Sequence, residues 1–201
     1  MPIPANDPLR HGRGRRPVAQ VREHILTAAA ETLFSRGAGA FTIDEVAKRS
    51  GASKTTIYKW WPSKGALALD GYFHAVENTL AFDDTVDVRE DLRHQLHSFV
   101  GVMATPGGRA LLELIGQSQT DPDLAAAYRA MYSSGRRRLA YERLERAQEA
   151  GELRADVDVR VLVDQLWGAV YHRLLVPDEP VTAAFVDAVV DNLFDGVRAS
   201  R

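Results

Sequence analysis

No cysteine occurs among the 201 residues. Its absence excludes disulfide frameworks, thiol nucleophiles and cysteine-ligated zinc or iron–sulfur centres. Long apolar runs are missing as well. None reaches the roughly 18–20 residues that a membrane span needs, and the longest C-terminal stretch is interrupted by His172 and Arg173. Residues Met1 to Arg16 hold prolines and arginines without the apolar core of a secretory signal, which predicts a cytoplasmic protein. There is no phosphate-cradling glycine loop, nucleophile elbow or zinc-protease histidine pair. Glu90, His94 and His97 share a helical face but lack a fourth strong ligand, so no metal is expected. With no catalytic constellation and no cofactor signature, the chain reads as a non-enzyme.

Lysine is scarce, and its placement is informative. All four lysines, at 48, 54, 59 and 64, fall in the first third of the chain. Residues 1–64 hold 11 Lys and Arg against 5 Asp and Glu, a balance of +6, whereas residues 65–201 balance at −8. The overall charge of −2 hides this division. Between Glu45 and Asp70 no acidic residue occurs at all. A basic head on an acidic body suits a phosphate-binding module joined to a part that avoids polyanions. Arg13, Arg15 and Arg16, set among glycines, extend the positive charge into an N-terminal arm that either tracks a minor groove or, as is commoner for such tails, serves only solubility.

Apolar residues at Val18, Val21, Ile25, Leu26, Ala29, Ala30 and Leu33 recur in steps of three and four, predicting an amphipathic helix over 17–36. Thr42-Ile43-Asp44-Glu45 reads as a capping box opening a short helix over 43–50. Gly51 supplies the turn, Ser53 a second cap, and Lys54 to Trp61 a second short helix. Further helices are predicted over 63–80, 88–104, 109–119, 122–150, 158–175 and 182–198. Breaks fall at Thr105-Pro106-Gly107-Gly108, Asp121-Pro122, Gly151 and Pro177 to Pro180. No segment alternates with period two, so the expected fold class is all-α.

A short helix, a glycine turn and a second short helix, resting on a longer one, constitute a helix-turn-helix. Ile43, Val46, Ala52, Ile57 and Trp61 are expected to form its apolar seam. The outward side of the second helix then carries Lys54, Thr55, Thr56, Tyr58, Lys59 and Trp60. Short hydroxyls and a lysine near the helix start suit base edges and thymine methyls, whereas Tyr58, Lys59 and Trp60 suit phosphates and sugars. Thr42, Ser53 and Lys64, each at a helix start, complete the candidate DNA-binding set. Lys48, Arg49 and the run Arg136-Arg137-Arg138 read as solvated faces.

The stretch from Thr42 through Gly51 to Leu67, with Ile25-Leu26, Ala29-Ala30 and Leu33-Phe34 before it, resembles the DNA-binding region of the TetR family of bacterial regulators over residues 18–78. Gly65 stands where that family usually has an acidic residue, Ala52 where valine is common, and Trp60 where histidine or arginine is often found. The resemblance implies a flexible basic arm over 1–17, a three-helix DNA-binding domain over 18–78 and a helical ligand-binding and dimerisation domain over 79–201. It further implies a homodimeric transcription factor, most often a repressor, whose partners are a double-stranded operator and a small-molecule effector.

Within the body, an apolar pocket is expected among the middle helices from Phe99, Met103, Leu114, Tyr128, Met131 and Tyr132, closed by Trp167 and Tyr171 from a later helix. Gln117, Tyr128 or His172 would supply polar contacts. The last two helices carry broad apolar stripes, and Gly168 permits close helix approach. By the resemblance these helices form a dimer bundle, with Gly168, His172 and Leu175 on one and Phe185, Val189 and Leu193 on the other. Two other classes compete with a ligand-responsive regulator. One is an architectural DNA binder with the same head, and the other is an enzyme whose helical body would need convergent acid–base groups.

Overall fold

The breaks in the apolar periodicity at Thr105, Asp121 and Gly151 coincide with a cap or a turn in the computed structural model. It describes residues 17–80, 83–85, 87–176 and 179–196, and for 132–134 the helix without the side chains. The basic arm with Arg13, Arg15 and Arg16 lies outside the described residues. The helices are α1 (Val18–Arg36), α2 (Ile43–Ser50), α3 (Lys54–Trp60), α4 (Lys64–Val76), α5 (Val88–Met103), α6 (Pro106–Ser118), α7 (Pro122–Tyr128), α8 (Arg137–Glu149), α9 (Val159–Leu175) and α10 (Ala183–Asp195). A π-helical segment, Arg129–Arg136, joins α7 to α8. The described residues contain no strand, so the chain is all-helical.

Eight of these helices start on Ser, Thr or Asp, whose side-chain oxygen accepts a main-chain N–H of the first turn. Such a cap contributes about 1 kcal/mol and satisfies a donor that the helix leaves open. The capping box at α2 is half realised. Thr42 Oγ1 accepts from the Glu45 N–H at 3.3 Å, but the Glu45 carboxylate turns to Arg49 at 3.4 Å and Arg36 at 3.7 Å.

The sequence places a break at Thr105–Gly108, yet these residues begin a helix. Thr105 caps α6, Pro106 occupies its first turn, and the two glycines lie inside it. Close packing is the reason: a Cβ on Gly108 would stand 2.4 Å from Met103 Cα and 2.5 Å from the Val102 carbonyl oxygen. α4 also ends earlier than expected, at Val76, and Glu77 to Leu80 form a turn.

The single helix expected over 122–150 is replaced by α7, the π-helix and α8. At 3.6 residues per turn, a straight α-helix with Leu124 and Tyr128 inward would bring Leu139 to the core and turn Ala140 away. The structure does the reverse, burying Ala140 and leaving Leu139 exposed. The wider π turns re-phase the stripe so that Ala140, Leu144 and Ala147 face inward.

One continuous apolar core runs through the chain. α1 lies along α4 and packs on α2, which in turn contacts α3, while α6 and α7 touch both this head and the body. In the body, α5, α8, α9 and α10 pack around Leu92, Leu96, Leu144, Val163, Leu166, Val170 and Val190. A buried polar node ties α8 to α5: Arg143 Nε donates to Asp91 Oδ2 at 2.7 Å, and both side chains are only 2% exposed.

Candidate nucleic-acid interface and interior cavity

α3 is only seven residues long, too short to hold itself in water, so its orientation depends on anchors. Ile57 and Trp61 supply them on the core side, both fully or almost fully buried. Gly51 adopts the left-handed conformation, φ 70° and ψ 11°, which lets the chain reverse between α2 and α3. The Trp61 indole N–H donates to Asp70 Oδ2 at 2.8 Å, and Arg22 reaches the same oxygen at 2.5 Å while its guanidinium lies over the Trp61 ring. The end of α3 is thereby joined to α4 and α1. Neither Asp70 nor Arg22 was singled out from sequence. The signal available was the indole itself, since a buried Trp N–H needs an acceptor and Asp70 is the first acid after Glu45.

With that side anchored, Ser53, Lys54, Thr55, Tyr58 and Lys59 are exposed on α3, flanked by exposed Thr42 at the start of α2 and Lys64 at the start of α4. All seven are thus accessible from solvent. Thr56 and Trp60 are corrections to the outward set, because both are half-buried. Trp60 follows Ile57 by three residues and so falls on the flank of the core face; its ring meets Trp61 edge-on at 5.6 Å. The Thr56 N–H donates to Ser53 Oγ at 3.1 Å, and the two hydroxyl oxygens lie 2.9 Å apart, so this pair caps α3. Lys54 pairs with Asp44, and that hydrogen bond raises its pKa above the ordinary lysine value.

Behind this surface, α7 lies against the first turn of α4. A Cβ on Gly65 would stand 2.7 Å from Leu124 Cδ1. Leu124 Cδ1 fills the space beside Gly65. Glu113 of α6 makes a second tie to the head, with Oε2 accepting from the Ala38 N–H at 3.0 Å.

The body holds a narrow interior cavity of about 30 Å³, lined by Phe99, Trp167 and Tyr171 of the expected set. Phe99 and Tyr171 meet edge-to-face at 5.4 Å. Tyr128 instead lines a neighbouring cleft of about 370 Å³ with Trp167, Gly168 and Tyr171. Met131 lines a wide groove of about 740 Å³ between head and body. Met103 and Leu114 are buried core residues outside the lining of the cavity, and the side chain of Tyr132 lies outside the described residues. Gln117 and His172 are exposed, and Gln95 lines the cavity in their place, its amide donating to the Leu80 carbonyl at 3.2 Å. Sequence reasoning also misplaced the arginine run. Only Arg138 is exposed, whereas Arg136 and Arg137 line the cavity, because the π-helix changes their phase.

The apolar stripes of α9 and α10 each divide in two. Val163, Leu166, Trp167 and Val170 face the core, as do Val186 and Val190. Gly168, His172 and Leu175 stay exposed, and Phe185, Val189 and Leu193 half-buried, along an accessible face of this chain. Phe185 lies beneath the Arg173 guanidinium at 4.2 Å. Across α5 and α10, Arg93 bonds to Asp187 and Asp191 at 3.3 and 3.0 Å, and His97 Nε2 lies 2.9 Å from Asp187. The His97 and Arg93 hydrogen bonds together hold the Asp187 carboxyl below its ordinary value. His94 pairs separately with Asp83. Among the described residues, no three potential ligands form a group that could hold a metal ion.

Residues 25–70 match the family described as "Bacterial regulatory proteins, tetR family", and residues 82–193 match "Tetracyclin repressor-like, C-terminal domain". The chain is 34% identical over 188 residues to the uncharacterized HTH-type transcriptional regulator YdeS of Bacillus subtilis, covering 94% of this chain and 95% of that one. It is 30% identical over 177 residues to the DNA-binding transcriptional repressor TetR of Mycobacteroides abscessus, covering 84% and 89% of the two chains. The solved structure of the TetR family transcription regulator SCO0332 superposes with a TM-score of 0.85 at 65% identity, over 90% of this chain and all of that one.

Proposed function

This chain belongs to the TetR family and is a DNA-binding transcriptional regulator rather than an enzyme, and from that premise we propose that it is a ligand-released repressor acting as a homodimer on a palindromic operator. The observation that carries this reading is the division of α3: Ile57 and Trp61 lock it to the core, and Lys54, Thr55, Tyr58 and Lys59 face outward. Residues 18–78 act as the DNA-binding part and residues 79–201 as the effector and dimer part. The protein works in the cytoplasm, consistent with the lack, among the described residues, of a helix long and apolar enough to cross a membrane.

Two copies joined along α9 and α10 would present two α3 helices to successive major grooves, about 34–36 Å apart. Lys54 and Thr55 read bases, while Lys59 and Lys64 hold phosphates. Lys54 exchanges Asp44 for DNA on binding. A ligand in the body displaces α7 and α6, and with them the start of α4 and the α1–α2 connection, altering the spacing of the two heads. Release requires unequal ligand affinity for the two arrangements, and a coupling of about 1–3 kcal/mol corresponds to roughly 5–150-fold weaker operator binding.

Selection and sequencing of genomic fragments bound by the protein tests this function. Recovery of a palindrome with half-sites one helical turn apart is the expected result, and unrelated sequences without symmetry would favour an architectural binder. At residue level, Lys64→Ala is expected to weaken all DNA sequences alike. In a dimer it should flatten the plot of log K against log salt concentration by about 1.8, or about 0.9 for each lost phosphate contact. Thr55→Ala, in contrast, should change the ranking of operator variants. An unchanged salt slope in Lys64→Ala would remove that lysine from the interface.

A further inference from the structure

The cavity in the body is apolar and aromatic on most of its surface, yet two arginines line it, and no acidic side chain does among the described residues. Burying charge in an apolar site is unfavourable without compensation, and both guanidinium groups, which are half-buried, have partners at the cavity wall. Arg136 stands at the partition between the cavity and the wide groove, which holds Arg22 and His74 but also Asp70, Glu77, Asp83, Asp84 and Glu142, and its guanidinium donates to the main-chain carbonyl of Leu80. Arg137 stands at the opposite partition. It lines both the cavity and the cleft beyond Trp167 and Tyr171, pairs with the exposed Asp164 and lies over the Tyr141 ring. Gln95 adds one neutral amide.

From this arrangement we propose that the effector is an apolar, ring- or chain-bearing carboxylate whose anionic group is read by Arg136 and Arg137. The inference rests on the ligand-responsive reading above and names its ligand class. The apolar part lies against Phe99, Trp167 and Tyr171, where aromatic faces contribute most of the buried area. The carboxylate takes paired N–H donors from the guanidinium groups, a geometry that an ammonium or a neutral amide cannot use. The volumes indicate how it enters. At about 30 Å³ the cavity holds little more than a water molecule, so the ligand must join it to the adjoining cleft of about 370 Å³. Swinging Arg137 away from Asp164 opens that partition and gives the guanidinium a new anionic partner. Both arginines lie at the junction of the π-helix with α8, and the same helical run continues through α7 to Leu124 and Gly65. Ligand capture at the arginines therefore acts on the element that touches α4.

Calorimetric titration of the full chain tests the proposal with phenylacetate, 4-phenylbutyrate and decanoate, each beside its primary amide and its amine. The expected result is that at least one carboxylate binds tenfold or more tightly than its amide, with the amine weaker still. Arg136→Gln and, separately, Arg137→Gln should each reduce that ratio to threefold or less without weakening the amide. Arg136→Lys, which keeps the charge and loses the planar fork, should give an intermediate ratio and serves where Arg136→Gln does not fold. Equal binding of amide and carboxylate, no binding by any of the three carboxylates, or a ratio unchanged in both glutamine variants would overturn the assignment. Operator release is measured separately. Carboxylate-selective binding that leaves the operator bound would defeat the ligand-released repressor and keep this inference. Release by a neutral molecule without carboxylate selectivity would do the opposite.

Discussion

Gly168→Arg is expected to leave a folded monomer that binds a two-half-site operator two to four orders of magnitude more weakly than the parent chain. The size follows from linkage: in a dimer the second head binds at the effective concentration set by the first, and that advantage is typically about 10²–10⁴. Gly168 is suited to this test because a Cβ built on it meets no atom within 4 Å in the chain's own fold. The residue lies at mid-helix in α9, where replacing glycine by a good helix former is neutral or favourable by up to about 1 kcal/mol. Loss of stability would therefore not explain a loss of DNA binding. Sedimentation velocity should show half the parent mass with an unchanged helical spectrum. A variant that remained dimeric would place the dimer elsewhere than on the face of Gly168, His172 and Leu193.

Asp91→Ala is expected to lower stability by about 3–5 kcal/mol, the usual effect of removing one partner from a buried ion pair. For a chain of this length, about 2–4 °C of melting temperature per kcal/mol gives a fall of roughly 6–20 °C. The cause is the node around Arg143. Besides Arg143, Asp91 accepts the Thr85 hydroxyl at 2.6 Å and the Thr85 N–H at 3.0 Å. Arg143 in turn donates to the Thr85 carbonyl at 3.1 Å. Deleting the carboxylate leaves a guanidinium that is 2% exposed with, as ion-pair partners, only the longer contacts to Asp84 and Glu152, at 3.6 and 3.7 Å. A double variant, Asp91→Leu with Arg143→Met, should recover most of the loss because it leaves neither charge buried and unpaired.

Acid should also narrow the gap between the parent and Asp91→Ala. Burial alone pushes the Asp91 carboxyl up, but the bonds from the Thr85 hydroxyl, the Arg143 guanidinium and the Thr85 N–H outweigh it and hold the group below its ordinary value of 3.8. A depressed folded pKa contributes stability that is fully present above the unfolded value and lost as pH falls through the folded one. Urea unfolding at neutral pH and again below 3.8 measures the difference directly. A gap that stayed constant across that range would show that the ion pair is not its source.

Much of the head was legible because its determinants are local. Thr42, Gly51 and Ser53 act within four residues of where they stand, and Ile57 and Trp61 share a face through helical spacing alone. The halved capping box shows where such reasoning stops: Glu45 had three candidate partners, of which Arg49 lies one turn on in the same helix and Arg36 became available only once α1 and α2 were packed. Trp60 was misplaced for a similar reason, since a seven-residue helix has a flank whose burial depends on what lies beside it. In the body, a single unbroken helix over 122–150 satisfied composition and propensity. It failed on phase, which nothing local reveals until Ala140 and Leu139 compete for the same core position.

Caps, turns and the periodicity of apolar residues therefore determined the helices, their order and the polar outer side of α3, because each depends on neighbours within one or two turns of chain. The charge division told which end meets a polyanion, since it is a sum over residues and needs no coordinates. Packing between distant segments decided the rest. It placed Asp70 under Trp61, Leu124 beside Gly65 and Arg143 on Asp91, and it turned Arg136 and Arg137 inward. Those contacts join residues 9 to 59 positions apart in a chain whose pattern of spacing carries no record of which helix lies across from which, so only the folded arrangement could select them.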